Sequence, residues 1–362
     1  MVRRSPTICR TELFKSLWCG GFRRAQNNDR VIFTGYARFA LLNILKALEL
    51  KPGSKVLIPS YVCNVVLIPL ATLQLVPVYY KVDDSFRIDL TSIPVDHDIS
   101  VLLTVNYFGF GVGIESAKKL ILSRGWIWIN DNAHGFSSLH NGQNLDEFGD
   151  FSITSFRKTI PVLNGAYVAI NTKRYSHLFE QISEYSNQQN NENHLKYFVK
   201  TLINICGFRI RNKLPEYTDV LSIEDNDQKY LRASFWGEKL MKSCNQSYIR
   251  DARRENYHLL ENFFADKNYQ FLSVKNSLLE VGNTPLAFPL MVRTICSQSK
   301  LLQYLRSGDI DAYAWPSLPA EIQQSNLHGA VDLLRSYIFL PLHQGLIMKS
   351  YIENLEKVLD EI

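Results

Sequence analysis

Residues 100–131 read SVLLTVNYFGFGVGIESAKKLILSRGWIWIND, and this stretch decides the fold class. Residues 100–107 form a short, continuous apolar run, as expected of a strand covered on both faces. Gly109 and Gly111 open a turn after it. Residues 115–123 then carry a short helical pattern, and residues 126–130 return to a strand that ends at Asp131. Strand, helix and strand in succession are the repeating unit of an α/β sheet with crossover helices.

The same alternation extends in both directions. Upstream, Leu41, Ile44, Leu45 and Leu48 recur at helical spacing within residues 37–50, and Pro52 and Gly53 stop that helix. Strands are predicted over residues 55–59 (KVLIP) and 76–82, and downstream over 151–156 and 166–170. Residues 172–230 change character, with polar helices and the low-complexity NQQNNEN at 187–193, and read as an insertion in the first unit. One long helix is predicted over residues 231–264. A second unit follows, with a strand-like PLAFPLMV at 285–292 and helices near 299–306 and 348–362. The division implied is 1–232 and 233–362.

Composition narrows the function class. The chain has 362 residues, too many for one small core. Hydrophobic residues make up 46% and charged residues 21%, an ordinary soluble balance. The net charge of +5 is spread along the chain, which argues against a nucleic-acid binder. Only an N-terminal arm, with Arg3, Arg4, Arg10, Arg23 and Arg24, concentrates basic charge. Cys9, Cys19, Cys63, Cys206, Cys244 and Cys296 show neither CxxC pairing nor zinc-ligand spacing. They read as free thiols in a reducing cytoplasm, with no metal site. The most apolar stretch, residues 65–80, is broken by Pro69, Gln74 and Pro77, so no membrane span is expected.

Four small sites follow in order along the chain. Thr34-Gly35-Tyr36-Ala37 opens a helix, whose unpaired N–H groups and dipole favour a phosphate; a plain helix start is the alternative. Asp131, in WIWINDNAHG, ends a strand, where ligands of open α/β sheets collect. A carboxylate there can keep a pyridinium nitrogen protonated, or simply cap a turn. His134 can pack on a cofactor ring or be a satisfied turn histidine. Ser155-Phe156-Arg157-Lys158 offers a lysine able to form an imine once its proton is lost. Three residues earlier, a serine offers a hydroxyl to a phosphate; an exposed basic pair is the alternative. Asn164-Gly165-Ala166-Tyr167 places a glycine before the next strand.

Together these residues resemble the DegT/DnrJ/StrS family of nucleotide-sugar aminotransferases. The resemblance runs from about Val31 to the C-terminus and leaves the arm and residues 172–230 poorly matched. It is carried by the stretch from GYARFALLNILKAL to VYYKVD, by VNYFG at 105–109, by INDNAHG at 129–135 and by SYIFLPLHQGL at 336–346. It implies a fold-type-I transferase: a large, mostly parallel sheet with helices on both faces and a smaller C-terminal α+β domain. It also implies pyridoxal 5'-phosphate as cofactor, Lys158 as its covalent anchor and catalytic base, and Asp131 as partner of the pyridine nitrogen. Ser155, Gly35 and Tyr36 are its implied phosphate contacts. The expected reaction moves an amino group from an amino acid such as glutamate to a keto group of a nucleotide-linked sugar or another keto compound, in a homodimer.

The chain departs from that family's pattern in two places. SFRK followed by NGAY replaces S-F-H-x-x-K followed by G-E-G-G; counting forward from Ser155 would put Ile160, not Lys158, at the lysine position. Cys63 stands where the family often stacks an aromatic ring on the cofactor, a task then left to Tyr61 or His134. Arg38, Arg157, Asn106 and Arg293 are candidate substrate contacts. Two alternatives stand beside transamination. One is a sugar dehydratase or other pyridoxal-phosphate enzyme, although the dehydratase branch carries histidine at the lysine position. The other is an inactive binding or scaffold member of the family.

Overall fold

The computed structural model describes Val2 and residues 30–95, 98–162, 164–188, 232–275, 278–293 and 297–362. Its centre is a seven-stranded sheet of β1 (Val31–Thr34), β2 (Lys55–Pro59), β3 (Val76–Tyr80), β4 (Ile99–Val105), β5 (Ile127–Asp131), β8 (Phe151–Thr154) and β9 (Ala166–Ile170). The spatial order is β1-β9-β8-β5-β4-β2-β3. From β3 through β8 all neighbours are parallel, and β9 runs antiparallel to both β8 and β1. Hence β1, β2, β4, β5 and β8 all point their carboxyl ends to one edge of the sheet.

Helices cover both faces because the strands are apolar on both. Against one face lies α1 (Ala37–Ala47), with Leu41, Ile44 and Leu45 packed on Val56, Ile58, Val101 and Leu103. The helix α2 (Leu67–Thr72) joins this layer. Against the other face, α3 (Ile114–Arg124) buries Ile114, Ala117 and Leu120. Residues 173–187 supply a 3-10 turn and α4 (Phe179–Asn187), whose Ile182 packs beside α1. The rest of the predicted insertion, residues 189–230, and the basic arm lie outside the described residues.

The single long helix expected over 231–264 is two helices, α5 (Phe235–Ser243) and α6 (Gln246–Lys267). The break is chemical. Asn245 adopts an extended conformation and its side chain accepts the Tyr248 N–H, as an N-cap does. After α6 comes a second sheet, β10-β11-β12, fully antiparallel, from β10 (Leu272–Val274), β11 (Ala287–Val292) and β12 (Tyr337–Pro341). It is flanked by α7 (Gln298–Ser307), α8 (Ala320–Ser325), α9 (Ala330–Ser336) and α10 (Met348–Leu359). A two-stranded hairpin, β6 (Leu139–His140) with β7 (Gln143–Asn144), lies between β5 and β8 in the chain.

The second sheet shares its core with the first. Tyr61, Phe86, Tyr107 and Phe108 from the loops of the large sheet pack with Trp315, Tyr337 and Phe339. The Phe108 and Phe339 rings stack with centroids 4.2 Å apart.

Candidate active site

Five strands deliver side chains to one edge. Gly35 and Tyr36 follow β1, Ser60 and Tyr61 follow β2, Asn106 follows β4, Asp131 ends β5, and Ser155 follows β8. Because β5 and β8 are adjacent and parallel, the residues that follow them meet. Asp131 is partly buried, and its Oδ1 accepts the Ala133 N–H at 2.9 Å. Burial raises its pKa above the ordinary value, while that hydrogen bond and the charge of Lys158 lower it.

Lys158 closes a short 3-10 turn, Phe156–Lys158, that starts at Ser155. Ser155 makes no side-chain capping bond to that turn, so its hydroxyl is not spent there. The turn is held from the side by Gly165, whose carbonyl accepts the Arg157 N–H at 3.2 Å. The Gly165 N–H in turn donates to the Gly35 carbonyl at 2.7 Å. A Cβ at Gly165, where φ is +150°, would come within 2.1 Å of the Phe156 ring. Only glycine lets the three segments approach this closely. The fourth sequence site is thus the tie between the first and the third.

The mouth of α1 suits an anion. Tyr36 caps it without a side-chain bond, and its first turn holds no acidic residue. Two guanidinium groups lie over the Tyr36 ring, Arg38 at 5.0 Å and Arg157 at 4.9 Å from its centroid. Cation–π contact holds both arginines beside the helix start.

His134 follows Asp131 by three residues. Its Nδ1 accepts the Phe108 N–H at 3.2 Å, which leaves the proton of the neutral ring on Nε2. The ring also lies 5.5 Å from Phe108 and 5.7 Å from Trp315.

Two candidates turn inward instead. Tyr61 is wholly buried, with Trp315 4.7 Å from its ring and Phe86 and Tyr107 around it. Its ring is committed to the shared core, and Cys63, two residues on, is half-buried and in no disulfide. Asn106 is buried, and its amide donates to Asn130 Oδ1 and Asn132 Oδ1, each at 3.1 Å. Asn132 also donates to Thr154 Oγ1 at 3.2 Å. Asn106 therefore belongs to a polar network that braces β4, β5 and β8 beneath the site. Arg293 is exposed just beyond β11. Sequence reasoning missed Trp315 and Arg253, which reach this region from the second unit.

A pyridoxal phosphate molecule fits these residues. It carries a ring nitrogen that can hold a proton, an aldehyde and a phosphate. Here a carboxylate whose charge burial disfavours, a lysine, and a basic helix mouth lie together in matching chemistry. Among the described residues, no group of three His, Cys, Asp or Glu side chains is arranged to hold a metal ion. None of the described helices is long and apolar enough to cross a membrane.

A model of the DegT/DnrJ/EryC1/StrS aminotransferase family matches residues 21–213. A segment of 121 residues is 27% identical to UDP-N-acetyl-3-dehydro-alpha-D-glucosamine 3-aminotransferase of Acidithiobacillus ferrooxidans. That match spans 32% of this chain and 32% of the relative. Among solved structures, the chain is similar to Helicobacter pylori PseC, an aminotransferase involved in pseudoaminic acid biosynthesis. The TM-score is 0.72 at 16% identity, over 100% of both chains. It is also similar to E. coli GDP-4-keto-6-deoxy-D-mannose-3-dehydratase with bound hydrated PLP. There the TM-score is 0.68 at 15% identity, over 99% of each chain. At such identities the likeness establishes the fold.

Proposed function

Since the chain belongs to the DegT/DnrJ/EryC1/StrS aminotransferase family, we propose that it is a pyridoxal-phosphate-dependent aminotransferase acting on a keto sugar linked to a nucleotide. The observation that carries this reading is the meeting of three strand ends: Asp131 ends β5, the turn from Ser155 to Lys158 follows its parallel neighbour β8, and the Arg157 guanidinium lies over Tyr36 at the mouth of α1.

When bound, pyridoxal phosphate supplies an aldehyde that condenses with amines and a ring that accepts electron density. The residues do the rest. Gly35, Tyr36 and Ser155 would receive the phosphate, and Arg38 and Arg157 would add positive charge for it or for an anionic substrate group. Asp131 would keep the ring nitrogen protonated, and that pairing would offset the cost of its burial. His134, three residues after Asp131, would be available to pack on the ring. Lys158 would anchor the cofactor, and its amine would serve as the base for the donor-carbon proton. In the net reaction the donor's amino-bearing carbon becomes a keto carbon, and the acceptor's keto carbon gains the amino group. Lysine at position 158 favours transfer over dehydration. Of the two alignments, the one through Lys158 is supported, because isoleucine carries no amine and Ile160 is buried in a cluster with Phe136, Phe156 and Tyr167.

The test is absorption of the purified protein with pyridoxal phosphate, followed by borohydride reduction and peptide mapping. We expect a new near-visible band and a reduced adduct on Lys158. Addition of glutamate should then release 2-oxoglutarate, and Lys158→Ala should lose adduct and release alike. A Lys158→Ala protein that still turns over would overturn the assignment. Band and adduct without 2-oxoglutarate release would move the reading to another reaction of the same cofactor. The ordinary composition and the widely spaced cysteines of the sequence support a cytoplasmic enzyme. A homodimer is the proposed assembly, and a monomer by light scattering would refute it.

A further inference from the structure

We propose that Arg253 is a positioning residue for Lys158: from the long helix α6 it clamps the carbonyl that follows the lysine and fixes the direction of the lysine side chain. This rests on Lys158 being the reactive lysine.

Arg253 is 1% exposed and is among the largest fully buried side chains. A buried guanidinium is costly unless its N–H groups find acceptors. Its Nε donates to Gln344 Oε1 at 3.0 Å. Its Nη1 donates to the carbonyls of Leu342 at 2.7 Å, Pro285 at 3.1 Å and Leu286 at 3.3 Å. Its Nη2 donates to the Thr159 carbonyl at 3.3 Å. Gln344 Nε2 donates to that same carbonyl at 3.1 Å. Pro285 and Leu286 lead into β11, Leu342 and Gln344 lie just beyond β12, and Thr159 directly follows Lys158.

Four of these bonds join α6 to the second sheet and would be explained by folding alone. The bonds to Thr159 are different. They reach across to the large sheet and end on the residue next to the lysine. The turn's own backbone bonds are few: the Lys158 N–H donates to the Ser155 carbonyl at 3.3 Å, and the Thr159 and Ile160 N–H groups donate to the Phe156 carbonyl at 3.0 and 2.9 Å. Gly165 steadies its start, and Arg253 with Gln344 steadies its end. A lysine could not replace the planar fork, because it offers one compact charge instead of donors in a fixed arrangement.

The experiment compares Arg253→Lys, Gln344→Ala and Leu305→Ala. Leu305 is buried in α7, makes none of these hydrogen bonds to Arg253, Gln344 or Thr159, and serves as a control for lost stability. Two quantities are read. One is the pH profile of Lys158 modification by an amine-selective reagent in cofactor-free protein. The other is the rate at which pyridoxal phosphate becomes borohydride-trapped on Lys158. Arg253→Lys should slow trapping about ten- to hundredfold and displace the modification profile. Gln344→Ala should act in the same direction, more weakly, and Leu305→Ala should lower the melting temperature with both readouts unchanged. If Arg253→Lys does not fold, Gln344→Ala carries the test. Wild-type profiles and trapping rates in a folded Arg253→Lys protein, or in Gln344→Ala when it stands alone, would overturn the proposal. A wild-type protein that never traps cofactor would refute the functional reading instead, while the modification profile still tests Arg253.

Discussion

At Asp131 burial is the strongest influence on the carboxyl and raises its affinity for a proton, while the Ala133 N–H and the Lys158 charge act against it. The folded state thus holds this proton to higher pH than the unfolded chain does. The stability gained is fully present below the unfolded pKa, about 3.9, and is lost as pH rises through the raised folded value. Asp131→Asn should therefore melt a few degrees above wild type at neutral pH in the cofactor-free protein, and the gap should close as pH falls. The same variant should transfer amino groups poorly. No gain in melting temperature at neutral pH would show that burial of this charge costs the fold nothing. Gly165→Ala forces a methyl group into the Phe156 ring and should cost about 1–3 kcal/mol, read as a lower urea midpoint, with loss of cofactor trapping. A wild-type midpoint would show that the three segments can separate freely. The sequence puts Asp131 at the end of a strand, Lys158 shortly after one and Gly165 just before one, and the structure has each in that place along the chain. Tyr61 and Asn106 occupy equivalent strand ends, yet they point into the interior, and a single sequence does not encode which way a side chain turns after a strand.

Among the elements, KVLIP at Lys55–Pro59 and AYVAI at Ala166–Ile170 match the predicted bounds, because both are short apolar runs closed by turn residues. Val31–Thr34 and Tyr337–Pro341 were not foreseen as strands. The first has only four residues; both are strands by pairing with neighbours, β1 with β9 and β12 with β11. Arg253 lies within the charged run RDARREN of α6 yet is buried, because its acceptors come from distant parts of the chain. The break before α6 was legible in principle, since Asn245 is a strong capping residue. Asn245→Ala should cost about 1 kcal/mol and speed hydrogen exchange in the first turn of α6. Unchanged exchange there would mean that α5 and α6 are held apart by packing rather than by the cap.

Over the whole molecule, the predicted division at 232/233 separates two sheets but not two cores. Phe108, from the loop after β4, stacks on Phe339 of the second sheet, and its N–H is held by His134 at the site. Trp315 touches Tyr61, Tyr107, Phe108 and His134 at once. Separating the sheets would expose these rings and strip the Thr159 carbonyl of Arg253, so neither sheet should melt alone. We expect one calorimetric transition whose van't Hoff and calorimetric enthalpies agree. Phe339→Ala should lower the whole transition, by about 3–5 kcal/mol, rather than split it. Because the Phe108 loop also holds His134, the same variant should weaken cofactor trapping although Phe339 lies in the second sheet. Two resolved transitions in the wild-type protein would mean that the sheets fold independently. The aromatic contacts would then be a docking surface between two domains, and Phe339→Ala should leave the large sheet's own transition where it was.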